Sequence, residues 1–261
     1  MLAALTDHWP EYLMEAAGLG LFMVSACLFA TLLEYPSSAL RRAIPSSFGR
    51  RALMGLAMGL TAVAIIYSPW GQRSGAHINP ATTWTFFRLG KVHAWDAFFY
   101  TLFQFAGAAA GVAISLAVLG RKRLADPSVG YVQTLPGSRG PAVAFAVELL
   151  MAFGMMTLVL GVSNDHDLAP YTGVFAGVLV ALFIALLAPH SGMSINPART
   201  FGSAVFAKRF SFFWLYATAP VLGMLLAAEA HARLDVSRAV RCAKLNHMGE
   251  SRCIFICDGK P

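Results

Sequence analysis

Long apolar stretches, separated by short polar segments, make up most of the chain. Six of these stretches approach the roughly 20 apolar residues that a membrane-spanning helix needs. They are residues 12–34, 52–69, 94–119, 141–162, 170–189 and 211–231. The second stretch is the shortest, but polar, glycine-rich sequence follows it. This pattern predicts an all-α membrane protein with six transmembrane helices.

A hexapeptide occurs twice between these stretches. Ile-Asn-Pro-Ala-Thr-Thr at 78–83 returns as Ile-Asn-Pro-Ala-Arg-Thr at 195–200. Asparagine is a good helix N-cap, and proline is favoured at the first helical position because it has no N–H to leave unpaired. Each copy therefore predicts the start of a helix.

The apolar runs that follow the two hexapeptides, 80–89 and 197–207, are too short to cross a membrane. Each would cover about 15 Å, half of the hydrocarbon thickness. We therefore predict two re-entrant half-helices that enter from opposite faces. We expect extended backbone before each of them, at 75–78 and 192–195, and such backbone is tolerated at membrane depth only where protein covers it or it lines a wet cavity.

The chain divides near residue 130 into two halves with the same order of elements. Each half begins with a span that carries a glutamate, Glu15 or Glu148, and continues with a span, an Asn-Pro-Ala element and a third span. Because three spans is an odd number, the second half must be inverted in the membrane. We expect an exposed linker at 120–140. The predicted units are a first repeat at 1–130, a second repeat at 131–231 and a C-terminal tail at 232–261.

Composition supports a membrane protein and excludes several other classes. The chain is 57% hydrophobic and 13% charged, whereas soluble domains are about one quarter charged. The net charge of +7 comes from Lys and Arg in loops and in the tail, so we expect lipid and not nucleic acid as the partner. No nucleophile–base set, cofactor loop or soluble domain is recognisable, so we expect neither an enzyme nor a bound cofactor.

The two hexapeptides and their flanks resemble the signatures of the major intrinsic protein family, the aquaporins and aquaglyceroporins. The matching segments are 74–81 and 194–204, and the resemblance covers about 12–231. It implies an aquaporin-like inverted repeat of six tilted helices plus two re-entrant half-helices. It also implies a multi-pass protein of the cell membrane that forms a homotetramer with one pore in each protomer.

The mechanism can be argued from the two asparagines, which offer amide donors where the half-helices would meet. A central water would turn its oxygen to both, which interrupts a proton wire, and the positive helix starts repel cations. The resemblance implies that Arg199 lies in the narrowest constriction. The implied pore residues are Asn79, Pro80, Ala81, Asn196, Pro197 and Ala198, with Met58, Ile184, Met193 and Arg199 as the selectivity filter and His77, Ile78, Ser194 and Ile195 in the pore-lining loops.

The same resemblance gives Glu15 and Glu148 a supporting role, in which they hold the loops through buried hydrogen bonds to backbone N–H groups. The alternative is that one of them is the ionisable coupling site of a secondary transporter, since inverted repeats and broken helices occur in that class too. A non-conducting adhesion or scaffold protein on the same fold is a third possibility.

The residues at the constriction do not indicate a single permeating solute. Water-selective members of the family usually have a histidine at the position of Ile184, and glycerol facilitators typically have an aspartate at the position of Thr200. A filter of Met, Ile, Met and Arg is apolar with one fixed donor. We expect water, with glycerol, urea, ammonia or peroxide as further neutral solutes; the alternative is a glycerol and small-solute facilitator with little water selectivity.

The family orientation, with both termini in the cytoplasm, conflicts with the charge distribution. It places ten Lys and Arg residues outside, in 35–51, 120–140 and 208–210, against three on the opposite face before the tail. The positive-inside rule favours the reverse orientation. A passive pore would conduct equally in either.

The C-terminal tail matches nothing in the family core. Cys242, His247, Cys253 and Cys257 lie within 16 residues and are zinc-compatible ligand types, although their spacing is not a standard zinc pattern. Two interpretations stay open: a flexible, reduced tail with incidental thiols, or a metal or redox regulatory site.

Overall fold

The structure is a computed structural model that describes residues 1–234, 240–247 and 251–258. These residues form helices and loops, with no β-strand among them. The helices are α1 (Leu2–Glu34), α2 (Ala39–Ala43), α3 (Ser47–Tyr67), α4 (Pro69–Ser74), α5 (Pro80–Arg88), α6 (Ala94–Leu119), α7 (Arg121–Leu124), α8 (Pro141–Ser163), α9 (Thr172–Ser191), α10 (Pro197–Ala207) and α11 (Phe213–Leu234).

Six of the helices, α1, α3, α6, α8, α9 and α11, are long and apolar enough to cross a membrane. The prediction of an all-α membrane protein with six spans is therefore confirmed. The two short helices α5 and α10 follow the Asn-Pro-Ala triplets and end within one residue of the predicted runs. The boundaries of the two repeats, 1–130 and 131–231, stay a prediction.

The first helix begins ten residues before the predicted span and continues through Pro10. Its early turns are held by polar contacts with the start of α6. His8 Nδ1 lies 2.7 Å from Asp96 Oδ1, and the hydroxyl of Tyr12 donates to the same oxygen at 2.5 Å. Because these partners are 84 and 88 positions away, local hydrophobicity could not indicate this start.

The second span, α3, also begins earlier than predicted. The side chain of Ser46 caps it by accepting from Gly49 N at 3.1 Å. Arg50, in its first turn, donates to Glu34 Oε1 at 3.1 Å, so the helix start includes a charged residue that the apolar pattern excluded. After Tyr67 the chain forms the separate short helix α4, which Ser68 caps.

The spanning helices pack closely through glycines. A side chain at Gly107 of α6 would place its Cβ 2.1 Å from the carbonyl oxygen of Ala16 in α1. At Gly223 of α11 the Cβ would lie 2.3 Å from the carbonyl oxygen of Leu149 in α8. The pairs α1–α6 and α8–α11 are therefore in direct backbone contact at matching places in the two halves.

The expectation of an exposed linker at 120–140 is wrong for part of that segment. Leu124, Val132 and Thr134 are buried, and residues 130–132 form a 3-10 turn. Ser203 Oγ donates to the carbonyl oxygen of Val132 at 3.3 Å, and the hydroxyls of Thr134 and Thr200 lie 2.7 Å apart. The 3-10 turn and Thr134 thus pack against α10, which explains the burial of Val132 and Thr134.

Candidate functional site

The two half-helices begin at the Asn-Pro-Ala triplets with matching caps. Asn79 Oδ1 accepts from Ala81 N at 3.0 Å. Asn196 Oδ1 accepts from Ala198 N at 3.0 Å and from Arg199 N at 3.2 Å. The proline after each asparagine is the first residue of the helix and leaves no unpaired N–H.

The starts of the half-helices are joined to each other by the amide groups of the same asparagines. Asn79 Nδ2 donates to the carbonyl oxygen of Ile195 at 2.8 Å, and Asn196 Nδ2 donates to the carbonyl oxygen of Ile78 at 2.7 Å. An amide has two N–H groups, so each asparagine keeps one further donor. The two loops thus meet tip to tip.

The backbone before each triplet differs from the extended conformation that we expected. Ala76 and Ile78 have φ angles of 54° and 39°, and Met193 and Ile195 have 50° and 44°. Gly75 and Gly192 also have positive φ angles, of 93° and 79°, so left-handed residues occur at equivalent places in the two loops. This backbone turns the N–H groups of residues 77–78 and 194–195 towards buried carboxylates, which explains why non-glycine residues adopt it.

In the first half the carboxylate is Glu15, which is fully buried. Its oxygens accept from Ser74 Oγ at 2.9 Å, from His77 N at 3.0 Å and from Ile78 N at 2.6 Å. Gln104 Nε2 donates to it at 2.7 Å. A buried charge is tolerated only when such hydrogen bonds replace its lost solvation.

The second half repeats this arrangement around Glu148, which is also fully buried. It accepts from Ser191 Oγ at 2.7 Å, from Ser194 N at 2.9 Å and from Ile195 N at 2.6 Å. Tyr216 Oη donates to the carbonyl oxygen of Ser191 at 2.6 Å. Each glutamate therefore fixes one loop, and neither lines the cavity described next.

A cavity of about 300 Å³ runs between the two halves. Four predicted filter residues line it, as do both asparagines and the predicted loop residues: Met58, Ile184, Met193, Arg199, Asn79, Asn196, His77, Ile78, Ser194 and Ile195. Pro80, Ala81, Pro197 and Ala198 do not line it, because they are buried inside the helix starts.

Arg199 brings a positive charge to this cavity. Its Nη1 atom is buried and has no hydrogen-bond partner among the described residues. Leaving a buried donor unpaired costs about 1–3 kcal/mol, and more for a charged group. The guanidinium is thus a donor available to a molecule inside the cavity, whereas Met58, Ile184 and Met193 offer mainly apolar surface.

Sequence reasoning missed that the tail is part of this site. The His77 ring stacks on Phe86 at 5.3 Å and on Phe255 of the tail at 5.2 Å. Its Nε2 atom lies 2.8 Å from the carbonyl oxygen of Ala243, and Leu245 lines the cavity. The signal in the sequence was the apolar character of several tail residues, which is unusual for a free tail.

The flexible-tail interpretation is wrong for the described parts of 232–261, whereas 235–239, 248–250 and 259–261 lie outside the described residues. Several tail side chains are less than 10% exposed: Val240, Cys242, Ala243, Lys244, Leu245, Asn246, Ile254 and Phe255. Burial lowers the pKa of Lys244, whose ammonium donates to the carbonyl oxygens of Ser251 at 3.1 Å and Arg252 at 2.9 Å. The tail also brings Cys242, His247, Cys253 and Cys257 together.

Six spanning helices, two half-helices that meet and a cavity lined by both halves define a polytopic membrane protein with the architecture of a channel. The chain belongs to the major intrinsic protein family, whose model matches residues 3–231. It is therefore an integral membrane protein of a channel family.

Relatives in this family carry two kinds of names. The chain is 36% identical to glycerol uptake facilitator protein-like 6 of Lactiplantibacillus plantarum, over 67% of this chain and 81% of that one. It is 34% identical to aquaporin NIP6-1 of Arabidopsis thaliana over 70% of its length, and it spans 58% of that relative.

The fold is similar to that of a solved structure, the aquaglyceroporin from Plasmodium falciparum. The TM-score is 0.72 at 18% identity, and the match covers 87% of this chain and 96% of the other. At this identity the likeness shows the fold alone.

Proposed function

We propose that this protein is a passive channel for water, through which small neutral solutes such as glycerol, urea, ammonia or peroxide also pass. The observation that carries the proposal is the position of Asn79 and Asn196, which line one cavity and each keep an amide N–H after bonding the opposite loop. A water held there turns its oxygen towards both donors. The positive ends of two half-helices act at the same place and repel protons and cations.

The filter of this channel is Met58, Ile184, Met193 and Arg199. Three of these side chains are apolar and offer no hydrogen bond that would hold a polyol firmly. Arg199 supplies one donor and a fixed charge that excludes cations. Small neutral molecules that need few hydrogen bonds pass such a constriction most easily.

A second candidate is a glycerol and small-solute facilitator with little water selectivity. Two observations favour it: Ile184 stands where water-selective members usually have histidine, and one relative is named a glycerol uptake facilitator. The two candidates differ in the ratio of water to glycerol permeability, and that ratio decides between them.

Coupled transport is disfavoured because it needs an ion-coupling carboxylate deep on the path, whereas the carboxylate in the cavity lining is Glu34, which lies at the end of α1 and pairs with Arg50 at 3.1 Å. Glu15 and Glu148 are the candidates for that role within the spanning helices α1 and α8, and neither of them lines the cavity. Backbone and side-chain donors occupy their oxygens. The absence of a recognisable nucleophile–base set in the sequence likewise leads us to propose that the protein is not an enzyme.

We extend the proposal to the assembly. A homotetramer in lipid would carry four independent pores, because one chain supplies the whole lining of the cavity. The two-repeat organisation is part of the same proposal, and the matching glutamates and crossed asparagine bonds support it.

Stopped-flow light scattering of proteoliposomes tests the function. Vesicles with the purified protein should shrink faster than empty vesicles in an impermeant osmolyte, with a low activation energy and without dependence on an ion gradient. Parallel runs with glycerol and urea give the selectivity. Shrinkage no faster than in empty vesicles, at confirmed incorporation and after removal of metal ions, would overturn the channel.

A further inference from the structure

Four soft ligand atoms converge in the C-terminal tail. The sulfurs of Cys242, Cys253 and Cys257 and a ring nitrogen of His247 all lie within 4.8 Å of one another. Cys253 Sγ is 3.5 Å from Cys242 Sγ and 3.3 Å from Cys257 Sγ, and His247 Nε2 is 3.6 Å from Cys257 Sγ. One imidazole nitrogen and three sulfurs thus form a compact cluster.

This donor set suits a tetrahedral zinc ion. Structural zinc sites use Cys₃His, with zinc–sulfur bonds of about 2.3 Å, which places the sulfurs of a tetrahedron about 3.7 Å apart. The distances that Cys253 makes with its two cysteine neighbours are within a few tenths of an ångström of that edge. The irregular sequence spacing of these ligands, eleven and four, is accommodated because the tail folds back on itself.

A disulfide alone does not account for the cluster. The structure pairs Cys242 with Cys257, which leaves Cys253 as a free thiol directly beside both sulfurs and His247 against Cys257. Two electrons and two protons from a thiol reductant would convert the disulfide into two thiols, and a metal ion would then displace the thiol protons. The reduced cluster holds four ligands, whereas a disulfide uses two.

The cluster lies in a segment that is seated on the mouth of the cavity. Leu245 N donates to the carbonyl oxygen of Gly75 at 3.2 Å, and a Cβ on Gly75 would lie 2.7 Å from the Phe255 ring. At the far end of the segment, Lys91 Nζ lies 2.5 Å from a carboxylate oxygen of Asp258. The tail thus bridges the loop before α5 and the loop between α5 and α6.

Residues 240–247 and 251–258 of the tail contain neither helix nor strand, so few backbone hydrogen bonds hold their shape. Segments too small for a hydrophobic core commonly depend on a metal or a cross-link for their fold. The cluster connects residues 242–247, which include Leu245, to residues 253–257, which include Phe255. Fastening these two parts keeps both residues against the cavity mouth.

We infer that Cys242, His247, Cys253 and Cys257 bind a zinc ion that fastens the tail over the mouth of the cavity and restricts flow through it. The restriction rests on the proposed channel function, whereas zinc binding does not. Loss of zinc frees Leu245 and Phe255 from the loop at Gly75 and opens this end of the path.

Metal content of the full-length protein, purified with a phosphine reductant, tests the site. Elemental analysis should find about one zinc per chain in the parent and in the control Cys27→Ala, which removes the cysteine of α1. Cys253→Ser and His247→Ala should weaken binding at least about 10–100-fold, the loss that even changes outside the ligand shell cause. Cobalt(II) titration should give thiolate-to-cobalt absorption in the parent and the control only.

Cys253→Ser separates the metal from the disulfide, because Cys253 is not a disulfide partner. A parent without stoichiometric zinc under reducing conditions, or a Cys253→Ser variant that binds zinc as tightly as the parent, would overturn the site. A zinc chelator should raise the water permeability of parent proteoliposomes several-fold and leave Cys253→Ser, which is already open, unchanged.

The two proposals fail in different ways. Vesicles that hold stoichiometric zinc but never conduct water, with or without chelator, would overturn the channel and support the metal site. Conduction that is unchanged when the chelator removes the zinc would overturn the restriction by the tail. Rapid conduction by a protein that never binds zinc would support the channel and overturn the metal site.

Discussion

Asn79 donates its side-chain amide to the carbonyl oxygen of Ile195, 116 positions further along the chain, at 2.8 Å. The equivalent bond runs from Asn196 to Ile78 at 2.7 Å. Each asparagine thus caps its own half-helix and donates a hydrogen bond to the loop that precedes the other half-helix. A change at either position should therefore affect both halves of the protein.

The two roles of Asn196 can be separated by substitution. Serine caps a helix about as well as asparagine but is too short to reach Ile78, so Asn196→Ser should lose only the crossed bond. Asn196→Ala should lose the cap as well, at a further cost of about 1 kcal/mol. Thermal unfolding in detergent should give a lower midpoint for alanine than for serine, and both below the parent. Equal midpoints for the two variants would contradict the cap.

Glu148 should tolerate even the isosteric change to glutamine poorly. The amide replaces an oxygen that accepts from Ser194 N or Ile195 N, so a buried N–H would lose its acceptor. That loss costs about 1–3 kcal/mol. The control is Glu229→Gln, because Glu229 pairs with Arg88 on the surface and such pairs contribute at most about 1 kcal/mol. Similar midpoints for the two variants would show that Glu148 does not hold its loop.

Local sequence was sufficient to predict the half-helix starts, because an Asn-Pro pair satisfies its own cap within three residues. The same holds for the six spans, whose apolar length follows from membrane thickness. The conformation of Ile78 and Ile195 could not be predicted in this way. Their positive φ angles depend on bonds to glutamates 63 and 47 positions away.

The position of the tail could not be predicted from the sequence for the same reason. His77 meets Ala243 across 166 positions, and no periodic pattern in the tail indicates such a partner. The start of α1 likewise depends on the contact between His8 and Asp96. Composition and periodicity describe contacts within an element, whereas these positions are fixed by contacts between distant segments.

Arg199 should affect which solutes pass through the channel more than it affects the rate at which water passes. Arg199→Ala removes a positive charge and widens the cavity, so glycerol and urea permeability should rise several-fold and cation exclusion should weaken, while water permeability is retained. The matched control is Arg88→Ala on α5, where the arginine is exposed and pairs with Glu229. Stopped-flow solute uptake and a pH-sensitive dye inside the vesicles measure both effects. A variant as selective as the parent would remove Arg199 from the filter.

Ile184 should set the preference between water and larger solutes. Ile184→His adds a ring with hydrogen-bonding atoms to an apolar part of the cavity lining, which narrows the path and favours water. We expect the ratio of water to glycerol permeability to rise several-fold. Ile184→Met, which stays apolar, should leave the ratio near that of the parent. An unchanged ratio in the histidine variant would place the size limit elsewhere.

Gly107 should be essential for the contact between α1 and α6. A Cβ there would lie 2.1 Å from the carbonyl oxygen and 2.5 Å from the Cα of Ala16, and neither backbone atom can move without separating the helices. Gly161 is the matched control, because a Cβ at this position in α8 meets nothing within 4 Å. Alanine is favoured over glycine in a helix by about 0.5–1 kcal/mol, so Gly161→Ala should be neutral or stabilising. Size-exclusion chromatography should show aggregated protein for Gly107→Ala and a single symmetric peak for Gly161→Ala, and a symmetric peak with an unchanged unfolding midpoint for Gly107→Ala would contradict this close contact.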